Sequence, residues 1–302
     1  MTSWAKRFLV HGVFWRQFLR WGVVNCPSYV EPVAIAAWAL LFMLWRSGRR
    51  GVMANLTAIK PGSWKVTNFF RAYRVFFNFA WTIADNGRCK EFRTTPDWEF
   101  AGLEHLEELQ SRPGGAIILT AHMGSYDLGA QVFSRVSDRR LVMVRAPETD
   151  PETQDFESRQ HDLMTGDALR IDFNVRSTDL AIELLHAIEA GELVAIQGDR
   201  VTPGVGATTV KLFGKATRIP TGPFALAMAS RAPIYPLFII RRGRRRYVLQ
   251  TCQPIYVQRG SRNREEDLRP AVEAWARQLE TIIGERWHQW FTFEPFSEEL
   301  AA

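Results

Sequence analysis

His122 and Asp127 are the residues whose types and spacing best suit chemistry, in the stretch AIILTAHMGSYDLGA at residues 116–130. A carboxylate on one ring nitrogen of an imidazole fixes its tautomer and supports the cation, leaving the other nitrogen to take a proton from a hydroxyl. No GxSxG is present, and Ser125 lies inside the motif rather than at a nucleophile elbow, so the attacking hydroxyl would belong to a substrate. On one regular helix a five-residue step would set the two side chains about 140° apart. The pair therefore requires His122 in a turn with the chain bending back, which Gly124 permits. The bare spacing also recurs by chance, and the alternative is a helix N-terminus carrying an incidental histidine.

The elements around the pair explain its placement. Apolar, β-branched runs predict strands at 116–120, 141–145, 168–173, 193–197, 234–240 and 247–252. Helices are expected at 124–136, 152–165, 177–190, 221–231 and 265–287, after a long aromatic helix at 64–84 and a shorter one ending at "SRPGG". The alternation predicts an α/β domain over 51–302, a mixed, largely parallel sheet flanked by helices. His122 then sits at the C-terminal edge of the sheet, where open α/β folds bind ligands.

Residues 1–50 read as membrane-associating helices. Arginines and lysine are interleaved with large aromatics up to Trp21, a pattern of interfacial anchoring. The run PVAIAAWALLFMLW follows, 14 uncharged residues closed by RSGRR. As a helix it covers roughly 21 Å, short of the ~30 Å hydrocarbon core, so it would dip in rather than cleanly span. The other reading of this segment is a pair of core helices. Cys26, Cys89 and Cys252 are too scattered for a zinc site or a disulfide framework, and the six histidines form no HExxH or HxH cluster. No metal or cofactor is expected. The net charge of +6 calls for an anionic partner. Nucleic acid is disfavoured because the basic residues follow no reader motif.

HMGSYD after an apolar strand resembles the H-x4-D/E box of glycerolipid-type acyltransferases. More narrowly, the chain resembles the late acyltransferases of lipid A biosynthesis, whose His-x-Gly-Asn-Trp-Glu pattern is met by His122, Gly124 and Asp127. The resemblance continues through GELVAIQGDR and the following residues to 242. Ser-Tyr-Asp stands where Asn-Trp-Glu is commoner, and Gly198-Asp199-Arg200 where many members have Asp-Gln. The resemblance implies a glycerolipid acyltransferase-like fold at the cytoplasmic face of the bacterial inner membrane. It implies acyl transfer from an acyl carrier protein or coenzyme A thioester to a membrane lipid hydroxyl, on a lipid A precursor, a glycolipid or an aminolipid.

On that reading His122 is the base, Asp127 its orienter, and Arg200 binds phosphate or the developing oxyanion. Gly124, Arg145, Asp199, Arg218, Thr221 and Gly222 are the expected substrate-binding residues. The structural alternatives are an Arg200–Asp199 ion pair, surface roles for Arg145 and Arg218, and helix capping by Thr221. RRGRRR at 241–246 reads as a solvated turn that would also attract an acidic carrier or anionic lipid. Two other functions stay open: a membrane-bound lipid- or carrier-binding protein without turnover, and a thioesterase with water as acceptor.

Overall fold

The computed structural model describes residues 13–145, 169–173, 178–202 and 204–301. Among the described residues four helices come first: α1 (Val13–Asn25), α2 (Glu31–Met43), α3 (Arg46–Ile59) and α4 (Lys65–Phe92). There follow β1 (Asp97–Ala101), α5 (Leu103–Ser111), β2 (Ala116–Thr120), α6 (Tyr126–Val136), β3 (Leu141–Arg145), β4 (Leu169–Phe173), α7 (Thr178–Glu189) and β5 (Leu193–Gln197). The hairpin β6 (Ala207–Leu212) and β7 (Lys215–Pro220) leads to α8 (Gly222–Ser230), β8 (Ile234–Gly243), β9 (Arg246–Thr251) and α9 (Arg264–Arg286). Two 3-10 turns, at 287–289 and 298–300, come last.

Seven strands form one sheet in the order β1-β9-β8-β2-β5-β3-β4. Every neighbouring pair is parallel except β8 with β9. Successive residues of a strand face opposite sides. Ile117 and Leu119 accordingly join an apolar cluster with α7, α8 and α9, while Ala116 and Ile118 join one with α5 and α6. Burial on both faces explains why these strands read as continuous apolar runs. The expected six strands and their helices are present, with ends shifted by at most three residues apart from the long aromatic helix; the helix expected at 152–165 lies outside the described residues. The sequence reading passed over β1 and the β6–β7 hairpin, whose charged and threonine-rich residues give weak apolar signals.

The long aromatic helix runs further than expected, through Gly87 to Phe92, and stops where Arg93 adopts a left-handed φ of 50°. Against it packs one face of α2, burying Ile35, Ala39, Phe42 and Met43 in a cluster shared with α3, α4 and Phe291. No helix among the described residues is long and apolar enough to cross a membrane. The apolar run breaks at Leu44–Trp45, after a helix of 13 residues. The expected N-terminal anchor, read as dipping in rather than spanning, thus finds no support in a long apolar helix, and its expected boundary at residue 50 falls inside α3. The arginine-rich turn at 241–246 is less solvated than expected. Arg241 lies over the Trp81 ring and donates to Asn78 Oδ1, and Arg244 pairs with the buried Glu31 of α2. The β8–β9 turn is thereby tied to the helical layer.

Candidate active site

β2 and β5 are adjacent and parallel, with Thr120 aligned to Gln197. His122 and Asp199 each lie two residues beyond that aligned pair, so the register brings them face to face. Nδ1 of His122 lies 2.7 Å from Asp199 Oδ1, and the His122 backbone N–H donates to Oδ2 at 3.1 Å. The Trp290 indole N–H donates to the same Oδ2 at 2.8 Å. Burial of the Asp199 side chain is complete. By itself that would raise its pKa, but the charge and hydrogen bond of His122, with Arg200 and Trp290, hold the carboxyl well below the usual range. Trp275 of α9 stacks on Phe238 and donates to Gly198 O at 2.9 Å, steadying the turn that presents Asp199.

The expected His122–Asp127 hydrogen bond is replaced by this one. Asp127 lies in the first turn of α6, capped by Ser125, and its carboxylate faces cations: Arg145 at the end of β3, and Lys90 of α4 at 3.6 Å. Asn86 of α4 donates to its Oδ2 at 3.0 Å. The correction has a simple cause. A carboxylate just inside a helix is held by that helix's direction, whereas one on the adjoining strand shares the register of the histidine.

His122 lines a cavity of about 680 Å³ between α7, α8 and the C-terminal ends of the strands. Its volume falls in the range of small-molecule sites. Its walls are mostly aliphatic, from Leu184, Leu185, Ile196, Leu226 and neighbours, with Arg145, Arg200 and Arg264 also lining it. Arg200 is exposed and anchored by donating to Phe291 O at 3.2 Å, so it is not committed to an ion pair with Asp199 alone. Gly222 lines the cavity too. Thr221 and Arg218 do not: Thr221 precedes α8 without a side-chain capping bond, and Arg218 is an exposed residue of β7 opposite Thr209. Asp199, expected to bind substrate, is instead enclosed behind His122. Among the described residues no group of three or more His, Cys, Asp and Glu side chains could hold a metal ion.

A segment the sequence reading overlooked completes the site. Residues 288–291 run beside the motif: Phe291 N donates to His122 O at 2.8 Å, and Gly124 N to Gln289 O at 3.3 Å. Trp290 and Met123 form an antiparallel bridge. No motif marks this segment; its one signal is the aromatic run WHQWFTF. Gly124 itself has φ of 56°, and a Cβ there would strike the backbone carbonyl of Ile239. Gly124→Ala should therefore cost at least about 2 kcal/mol of stability, from the left-handed φ and the clash together. Urea unfolding measures it, and an unchanged midpoint would contradict the tight approach of this turn to β8.

Residues 17–296 match the profile of the family described as bacterial lipid A biosynthesis acyltransferase. No curated protein matches the chain.

Proposed function

From the premise that the chain belongs to the bacterial lipid A biosynthesis acyltransferase family, we propose that it moves a fatty acyl chain from a carrier thioester to a hydroxyl of a lipid A-type acceptor, with His122 as general base. The observation that carries the reading is one imidazole at an aliphatic cavity with Nδ1 already held by a buried carboxylate. Nε2 of His122 is then the position for the acceptor hydroxyl. It takes the hydroxyl proton as the oxygen bonds to the thioester carbonyl carbon. The oxyanion that forms faces Arg200. Collapse breaks the C–S bond, and the departing sulfur recovers the proton from Nε2. The ionised Asp199 supports the imidazolium between the two transfers.

Asp127 pairs with Arg145 at the cavity wall, while Nδ1 of the ring is held by Asp199. Three arginines at the cavity, 145, 200 and 264, suit the phosphate of a carrier's pantetheine arm, and acyl carrier protein is the donor we favour for its acidic surface. Membrane contact on this reading is one-sided. Trp21, Val33, Leu40, Leu41 and Leu44 of the first helices are more than half exposed while the opposite face of α2 packs inward. Such a face suits the headgroup boundary of one leaflet.

The test supplies purified protein with a labelled acyl-carrier thioester and cell-envelope lipid, and resolves the products by mass. A new acylated lipid is the expected product. Free fatty acid alone would replace transfer with hydrolysis. The cavity makes a second prediction. Ala229 of α8 lines it, so Ala229→Phe should shift the preference toward shorter acyl chains with little change in kcat for the best substrate. An unaltered chain-length profile would mean that the acyl chain lies elsewhere.

A further inference from the structure

The helix α4 begins outside the core with Trp64, Val66, Phe69 and Phe70, exposed by 81%, 66%, 42% and 67%. Val66, Phe70 and Arg74 follow at four-residue steps and so share one face, apolar for a turn and cationic after it. At the cationic end several positive groups meet without a carboxylate. Arg71 and Arg74 both stand over the Trp287 ring, at 6.0 and 5.7 Å from its centroid. Among the described residues Arg71 is hydrogen-bonded only to neutral partners, Ser63 Oγ and Asn68 Oδ1. Lys60 donates to Gly284 O at 3.0 Å, two residues before Arg286. None of Lys60, Arg71, Arg74 and Arg286 has a salt bridge among the described residues.

Two buried polar atoms in this cluster are also unpartnered, Arg286 Nε and His288 Nδ1. Burial, then the charges of Arg74, Arg286 and Arg241, hold His288 down at about 4, so at neutral pH it adds no charge but keeps a polar atom to offer. Like charges gathered around buried polar atoms without partners, beside an exposed aromatic stripe, call for an anion, and the stripe calls for one carried by an apolar tail.

We propose that Arg71, Arg74 and Arg286, with His288, form a binding site for the phosphoryl group of a net-anionic membrane lipid, one whose phosphate has no cationic headgroup of its own, and whose acyl region lies against Val66, Phe69 and Phe70. The guanidiniums grip the phosphate oxygens, and Trp287 holds two of them in place by its ring face. The site is separate from the aliphatic cavity at His122 and does not depend on acyl transfer. It does adjoin the motif: His288 is three residues from Phe291, whose N–H bonds His122 O. A lipid held there is a membrane component that orients the protein, on contacts distinct from those of α1 and α2.

The experiment is vesicle flotation of the full chain on phosphatidylcholine with and without phosphatidylglycerol, at fixed low salt. The wild type should partition more strongly to the anionic vesicles. Arg74→Gln with Arg286→Gln should lower that partition roughly thirty-fold, at about one kcal/mol per basic residue near the surface, and leave binding to phosphatidylcholine unchanged. Arg259→Gln with Arg262→Gln removes the same charge at exposed positions elsewhere and should have a much smaller effect. Arg74→Gln alone guards against misfolding, since that side chain is exposed and makes no hydrogen bond among the described residues; it should give about a five-fold loss. Equal losses in the two double variants would reduce the effect to bulk charge and overturn the site. Equal wild-type binding to both vesicles would overturn it while leaving the membrane contact of α1 and α2 standing. Full competition by millimolar inorganic phosphate would assign the arginines to a soluble phosphate and overturn the lipid.

Discussion

His122→Ala is expected to lower acyl transfer by about 10⁴-fold, the upper end of what one general base supplies. The loss should fall on kcat, with KM for the thioester nearly unchanged, because the aliphatic walls of the cavity are untouched. Alanine has a second effect. It leaves Asp199 buried with Trp290, the His122 backbone N–H and Arg200 as its remaining support. Removing one member of a buried pair typically costs about 3–5 kcal/mol, so a poorly folded variant would mimic a catalytic loss. His122→Gln separates the two: an amide can keep a hydrogen bond to Asp199 without serving as a base. Both variants should be inactive, and the glutamine variant should unfold closer to the wild type. Turnover within tenfold of wild type in a folded His122→Gln protein would remove His122 from the mechanism.

Asp199→Asn is the second large effect, and its comparison with Asp127→Asn decides which carboxylate orients the base. An asparagine at 199 can still meet Nδ1, but it cannot support the imidazolium, and a fall of roughly 10³–10⁴ in kcat is expected. Asp127→Asn should cost far less turnover and act through Arg145 and Lys90, which lose their counter-charge. Acid stability gives an independent reading. The folded carboxyl of Asp199 titrates below its unfolded value of about 3.9. The stability this contributes is fully present above about pH 4 and is lost as the pH falls through the folded value. Wild-type stability should therefore drop below pH 4, and Asp199→Asn should lack that part of the drop. If Asp127→Asn carries the larger kinetic loss, the orienting carboxylate is Asp127 and the pair at 199 is structural.

The difference between these carboxylates also shows what the sequence can convey. The strands before His122 and Asp199 are both plain as apolar runs, and the α/β alternation follows from their spacing with the helices. Strand order is another matter. That β2 lies beside β5, in a register that puts positions 122 and 199 opposite each other, depends on contacts across 77 residues. A local reading naturally joins His122 to the carboxylate five residues away. The same limit hid Trp290 and Gln289, which have no catalytic type and matter only through where the chain returns. Arg200, three residues past β5, and Gly222, at the start of α8, line the cavity, and the order of strand and helix along the chain already pointed to that edge of the sheet. Thr221 was drawn in by the same helix start and Arg218 by standing just before it, yet neither lines the cavity. The N-terminal aromatics were rightly seen as unusual. Their division between an inward face on α4 and an outward one has no helical periodicity strong enough to announce it.

Residues 288–294 hold His122 and Gly124 by backbone bonds and Asp199 by an indole. They also anchor Arg200, and they reach the helical layer through Asn55, which donates to the carbonyls of Thr292 and Glu294. Every other part of the site precedes them in the chain. During synthesis the sheet and its helices emerge first, with the base and its carboxylate already in place along the polypeptide. A ribosome-bound chain halted before residue 287 carries both groups but lacks the strap that sets them. Such a chain lacks the backbone bonds to His122 and Gly124 and the indole on Asp199, so on the proposed mechanism the base is set only once residues 288–294 have docked.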